Sequence, residues 1–258
     1  MRNLITKLKK HQFLFEELVK RDFKQKYKNT VLGMGWSVLA PLLTLLILQF
    51  VFGSYFGRRI SHYTIYLFCG NLLFSYYKEA TTTGMKALLS NSGIFTKVNV
   101  PKYLFLMSQS ISSLINFGLS LILFFIFVIC DGIAIKPYFI MLLYPICCLI
   151  VFNLGVGLIL SALNVFFRDM NYLYNIFTLL LMYVSAIFYQ ITIVPAKFRI
   201  FFYFNPVYCY IEYFRKIVLS GKIPTLAFHG LCAFYAIAFF LIGCWIYKKY
   251  NHKFLYYV

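Results

Sequence analysis

Acidic residues are nearly missing from this sequence: seven Asp and Glu stand among 258 residues, and all charged side chains together make up 12%. A water-soluble globule of this size needs far more polar surface, so that class is excluded. The same scarcity bears on chemistry. Glu16, Glu17 and Asp22 share one N-terminal segment, Asp169 neighbours Arg168, and only Glu79, Asp131 and Glu212 remain. No pair of carboxylates for acid and base work is evident among them. No G-x-x-x-x-G-K-[S/T] loop occurs, so nothing here cradles the phosphates of a nucleotide; Gly33 and Gly35 lack a following Lys. Seven cysteines show neither metal nor disulfide spacing, and His11, His62, His229 and His252 are scattered singly, so no metal site is read. Nor does a secretory signal precede the first apolar run, which puts the expected start of the mature chain at Met1.

What is abundant is apolar side chain. Hydrophobic residues make up 62% of the chain and mean hydropathy is +0.77. Uncharged runs at 29–57, 103–130, 137–167, 170–196 and 223–247 each suffice for the roughly 20 residues a membrane-crossing helix needs. A sixth run, 61–85, is apolar except for Lys78 and Glu79. Ten-residue alternation is absent, and unpaired backbone is prohibitive in hydrocarbon, so the runs predict helices rather than barrel strands. The reading is an all-α membrane protein with six spans, near 31–56, 61–85, 103–130, 137–165, 171–193 and 225–247. Residues 1–30 precede them as an interface segment, and 251–258 follow as a tail.

The net charge of +18 is topological rather than a nucleic-acid footprint, because the basic residues flank the spans. Arg2, Lys7, Lys9, Lys10, Lys20, Arg21, Lys24, Lys26 and Lys28 come before span one, and Lys248, Lys249 and Lys253 follow span six. Both ends are therefore expected in the cytoplasm, with Lys86, Lys97 and Lys102 on the same side. Lys197, Arg199, Arg215, Lys216 and Lys222 run against this rule.

Residues 12–28 predict an amphipathic helix lying in the membrane surface, with Phe15, Leu18, Val19, Phe23 and Tyr27 on one side. Trp36 follows at interface depth. Lys78 is placed to snorkel and Glu79 to face protein, since adjacent helical residues diverge by about 100°. Leu88–Pro101 suits either a short helix docking on a soluble partner or a plain loop. Arg168 and Asp169 suit capping or pairing across the bundle. Residues 197–222, broken by Asn205-Pro206, predict short re-entrant or interfacial helices.

The order of these features resembles the permease subunits of ABC-2 type exporters, in the branch that exports cell-surface polysaccharides. Arg21–Pro41 (RDFKQKYKNTVLGMGWSVLAP) is similar to that family's signature through Arg21, Asp22, Tyr27, Gly33, Trp36 and Pro41, and ALNVFFRDMNYL adds Arg168 and Asp169. FTKVNVPKY at 95–103, the Pro195 to Asn205-Pro206 segment and the basic tail agree with it. The resemblance implies a type V ABC exporter-like fold in a bacterial cytoplasmic (inner) membrane. It further implies a homodimer bound to two copies of a separate ATPase subunit that holds ATP and Mg, with no cofactor in this chain. The implied cargo is a lipid-linked polysaccharide of the O-antigen, capsule or teichoic-acid type. Ser90, Asn91, Phe95 and Lys97 fall in the implied ATPase-coupling segment, and spans one and five are implied to line the channel. Sugar rings stack on aromatic faces, so Phe52, Tyr55, Phe56, Tyr172, Tyr174, Phe177, Tyr183, Phe188 and Tyr189 are the candidate channel residues. A membrane-embedded glycosyltransferase-like enzyme and a passive channel are the alternatives; the first needs catalytic carboxylates, the second no partner.

Overall fold

A computed structural model of the chain describes residues 12–28, 30–57, 60–98, 100–255 and 257. Arg2, Lys7, Lys9 and Lys10, Asn99 of the FTKVNVPKY segment and part of the 251–258 tail lie outside the described residues. Among the described residues the structure is helical throughout, with no strand. In chain order the helices are α1 (Gln12–Tyr27), α2 (Trp36–Phe56), α3 (Tyr63–Ser90), α4 (Ser92–Phe95), α5 (Tyr103–Cys130), α6 (Leu143–Phe166), α7 (Met170–Val184), α8 (Pro206–Val218) and α9 (Leu226–Tyr250). Tight 3-10 turns occur at Gly33–Gly35, Pro137–Leu142, Ile191–Ile193, Ala196–Phe204 and Lys253–Leu255.

Local sequence sets several helix ends. α5 stops where Gly132 takes φ +80, which lets the Ile133 N–H reach back to the Val128 carbonyl at 3.2 Å and satisfies the last turn. α8 starts on Asn205, whose side chain accepts from the N–H groups of Val207 and Tyr208, with Pro206 pre-set at the first helical position.

α3 is the centre of the bundle, packed against α5, α6, α8 and α2. Its Phe68 meets Phe124 of α5 edge to face, and Phe124 in turn meets Phe214 of α8. α9 lies along α6 at backbone contact: a Cβ on Gly155 would sit 2.5 Å from the Phe239 carbonyl carbon, and one on Gly243 would sit 2.6 Å from the Gly155 oxygen. Association of helices in lipid relies on such close backbone approach, because apolar burial from water is no longer the driving force. α1 lies against α5 and buries Leu18, Asp22 and Tyr27 there. Part of its apolar face is thus taken by protein rather than by the membrane surface.

Four segments are long and apolar enough to cross a bilayer by length and composition: Gly33–Phe56, Tyr103–Cys130, Pro137–Phe166 and Leu226–Tyr250. α3 has the length, but its Thr, Ser, Asn and charged residues keep its hydropathy lower. Helix α7 does not run to residue 193 as the sequence predicts; it ends at Val184 after 15 residues, or about 22 Å of rise. The cause is a break at 185–190, where Ala186 adopts φ +49 and the carbonyls turn away from the helix axis to other partners.

Candidate functional site

Two polar nodes hold the non-repetitive parts of the chain onto the bundle. The first joins α1 to the end where α3 stops and α5 starts. Arg21 donates through Nε and Nη2 to Asp22 Oδ1 at 3.0 and 2.6 Å, and through Nη2 to Asn91 Oδ1 at 2.6 Å. The other Asp22 oxygen accepts from Ser108 of α5 at 2.7 Å. The Asp22 side chain is only 1% exposed while Arg21 is 40% exposed, so the carboxylate is buried and its cation reaches water. A buried carboxylate is tolerable only when paired and hydrogen-bonded, and this one is both. One turn further along α1, the Tyr27 hydroxyl donates to Asn116 of α5 at 2.7 Å. Asn116 and Lys26 both donate to Glu79 Oε1, at 2.9 and 2.8 Å. Glu79 thus faces protein, and its cation comes from α1; the adjacent Lys78 points outward, exposed.

Asn91 also donates to the Ala87 carbonyl, which fixes the corner between α3 and α4. Beyond it, Phe95 is buried with Leu18, Phe105 and Phe254, whereas Ser90 and Lys97 are exposed. Lys102 lies between the Phe95 and Phe254 rings, 5.7 and 5.6 Å from their centroids, and donates to the Asn251 carbonyl at 2.6 Å. Burial pushes its ammonium below the ordinary pKa of 10.5. The four expected coupling residues therefore divide: Asn91 and Phe95 anchor α4, while Ser90 and Lys97 face out.

The second node centres on Arg215 of α8, 3% exposed. Its guanidinium donates to the carbonyls of Tyr66, Ala186 and Ile187 and to the Tyr66 hydroxyl, and its centre sits 3.5 Å from the Tyr66 ring centroid. Tyr63 and Tyr66 of α3 donate to the Phe188, Ala186 and Tyr189 carbonyls. Four successive carbonyls of the broken stretch after α7 are thereby satisfied by side chains, as buried non-helical backbone requires. Gly70 must lack a side chain here, since a Cβ would come within 2.6 Å of Arg215 Nη2. The sequence places Arg215 in an outside connection; beside Glu212 and Lys216 in the amphipathic stretch PVYCYIEYFRKIV, its burial leaves no local signal beyond its departure from the charge rule.

The candidate channel aromatics also divide. Tyr55, Tyr172, Phe177 and Tyr183 are exposed on α2 and α7. Phe52, Phe56 and Tyr189 are half-buried. Tyr174 and Phe188 are buried: the Tyr174 hydroxyl donates to Thr81 and Tyr77, and Phe188 stacks on Phe52 at 4.6 Å, so these two serve packing within the chain rather than an open wall. Of the remaining signature residues, Gly33 takes φ +51 at the entry to α2, Trp36 is partly exposed there, and Pro41 stands inside α2. Arg168 and Asp169 are exposed, and the expected pairing of their side chains is not made among the described residues. The Asp169 carbonyl accepts from the Tyr172 and Leu173 N–H groups at the start of α7.

Comparison with known proteins fits this layout of a clasped surface helix and an apolar bundle. The chain is similar over most of its length to the O-antigen export system permease protein RfbA of Klebsiella pneumoniae, 26% identical over 247 residues that cover 94% of this chain and 95% of the relative. It is 25% identical over 228 residues to the protein of the same name from Myxococcus xanthus, covering 87% of each. It is 22% identical over 236 residues to the polysialic acid transport protein KpsM of Escherichia coli, covering 90% of this chain and 92% of the relative. Residues 14–219 match the family described as ABC-2 type transporter, a stretch that takes in both polar nodes, and the chain belongs to that family.

Proposed function

We propose that this chain is the membrane-crossing permease subunit of an ATP-driven exporter that moves a lipid-linked cell-surface polysaccharide across a bacterial cytoplasmic membrane. Two copies form the path, and two copies of a separate ATPase subunit bind ATP and Mg; the chain itself carries no cofactor and performs no bond chemistry. In this reading α2, α3, α5, α6, α7 and α9 each cross, which leaves both termini cytoplasmic. Residues 185–190 complete the crossing that α7 begins, and α8 with the preceding 3-10 turns forms a re-entrant cover at the outer mouth. The Asp22 clasp and α4 then lie on the cytoplasmic side, where α4 presents Ser90 and Lys97 to the ATPase.

The observation that carries the reading is an uncovered wall. Phe50, Tyr55 and Ile47 on α2, and Tyr172, Ile176 and Tyr183 on α7, stand open while both helices are anchored on α3. Open tyrosines among aliphatic groups suit a path for a sugar polymer, since rings and hydroxyls together grip sugars without one fixed pattern. Deletion of the chain in its host tests this. Lipid-linked polymer is expected to accumulate inside the cell and surface polymer to disappear, with both reversed by the wild-type chain. Normal surface polymer in the deletion strain refutes the proposal.

A further inference from the structure

A cleft of about 350 Å³ lies between α2, α3 and α5, beneath the end of α1. Two polar stripes line it at helical spacing: Asn71, Ser75 and Glu79 on α3, and Ser113, Asn116 and Ser120 on α5. Asn71 stands only about 12 Å of helical rise into α3, and Glu79 about 24 Å, so the α3 stripe runs through what the export reading makes hydrocarbon depth. Polar groups at such depth are costly and default to a functional role unless they satisfy one another. Several here do. Ser120 donates to the Asn116 carbonyl, Ser113 meets Thr83, and Asn116 is held by Glu79 and Tyr27. Asn71 and Ser75 do not: neither side chain has a hydrogen-bond partner among the described residues, and Ser75 is exposed to the cleft.

The lining also selects a ligand chemistry. Among the described residues Lys26 and Glu79 are the formal charges on its walls, and they neutralise each other at 2.8 Å, so a phosphate finds no free cation among them. Free carboxamide and hydroxyl groups in a cleft that Trp36 also lines suit a hydroxylated ring with an apolar face. We propose that this cleft binds the uncharged sugar head of an amphiphile, a glycosylated lipid whose apolar chain stays in the bilayer. The proposal rests on the export reading for its membrane depth and names where a glycolipid is held against the permease before or during passage.

Trp36 and Trp245 are the two tryptophans of the chain, so the full-length Trp245→Phe protein carries a single reporter in the cleft. It is reconstituted in phosphatidylcholine vesicles and titrated with monoglucosyl diacylglycerol, with diacylglycerol and phosphatidic acid as the headless and phosphate-headed comparisons. A saturable shift of Trp36 emission is expected with the glucosyl lipid alone, weakened about tenfold by Asn71→Leu or, independently, by Ser75→Leu, as for loss of one good polar contact. Neither side chain holds the fold together, and the thermal unfolding of both variants is expected to match the parent; the Ser75 variant stands in if the Asn71 variant unfolds early. An unsaturated response, an equal response to phosphatidic acid, or unchanged affinity in both variants overturns the proposal. Surface polymer is scored separately: export without saturable binding sinks the cleft and spares the export reading, while binding without export does the reverse.

Discussion

At the scale of single residues, Arg215 shows how this chain keeps a charge inside an apolar bundle with no carboxylate bonded to it among the described residues. Its compensation comes from carbonyl dipoles and an aromatic face, which together fix the position of the stretch that follows α7. Lysine offers the same charge from one nitrogen, without the three separated nitrogens through which the guanidinium reaches the Tyr66, Ala186 and Ile187 carbonyls and the Tyr66 hydroxyl. Arg215→Lys is expected to lower unfolding stability by about 2–3 kcal/mol, the scale of buried charge-assisted hydrogen bonds left unmade. It should also open residues 185–195 to proteolysis in detergent. Wild-type stability together with wild-type protection of that stretch would show that the guanidinium does not hold it. In the sequence Arg215 is legible only as an exception to the charge rule, because what satisfies it lies about 30 and 150 positions away in the chain, at 186–187 and at Tyr66.

Elements were legible to the extent that a single property defines them. Long apolar runs read as helices because hydrocarbon allows little else, and the all-helical fold follows from them. The length of α7 was not legible: residues 185–193 are as apolar as the helix before them, and only the long-range capture of their carbonyls ends it. Leu88–Pro101 left a docking helix and a loop equally open, since one helical turn is too short to leave a periodic signal. The structure gives that turn, Ser92–Phe95, anchored by Phe95 below and Asn91 at its start. Substitutions on its two faces should therefore separate. Lys97→Glu is expected to leave thermal unfolding unchanged while reducing ATP hydrolysis by the assembled exporter several-fold. Phe95→Ala, which empties a buried aromatic site, is expected to cost about 3–5 kcal/mol of stability in addition. Loss of stability in Lys97→Glu, or normal coupling in both, would remove α4 from the role proposed for it.

For the whole molecule, the proposed pairing of two copies needs a face that is not simply turned to lipid, and apolar exposure alone does not pick it out, because lipid accepts any apolar face. The outer face of α9 carries Phe234, Ile237, Leu241 and Trp245, and α9 is closely packed on α6 behind it, so in the export reading it is a finished helix presented to lipid. α2 differs: Phe50 is 86% exposed and Tyr55 77% exposed, and little of the helix is buried on any side. On the dimer proposed above, this open face is the one that a two-fold partner would bring against its own copy. In a background with the seven native cysteines replaced, Phe50→Cys or Tyr55→Cys is expected to give a disulfide-linked dimer in oxidised membranes. Phe234→Cys on α9 should stay monomeric under the same oxidant. Crosslinking through Phe234 and not through α2 would move the dimer contact to the α6–α9 side, and the path for the polymer would have to move with it.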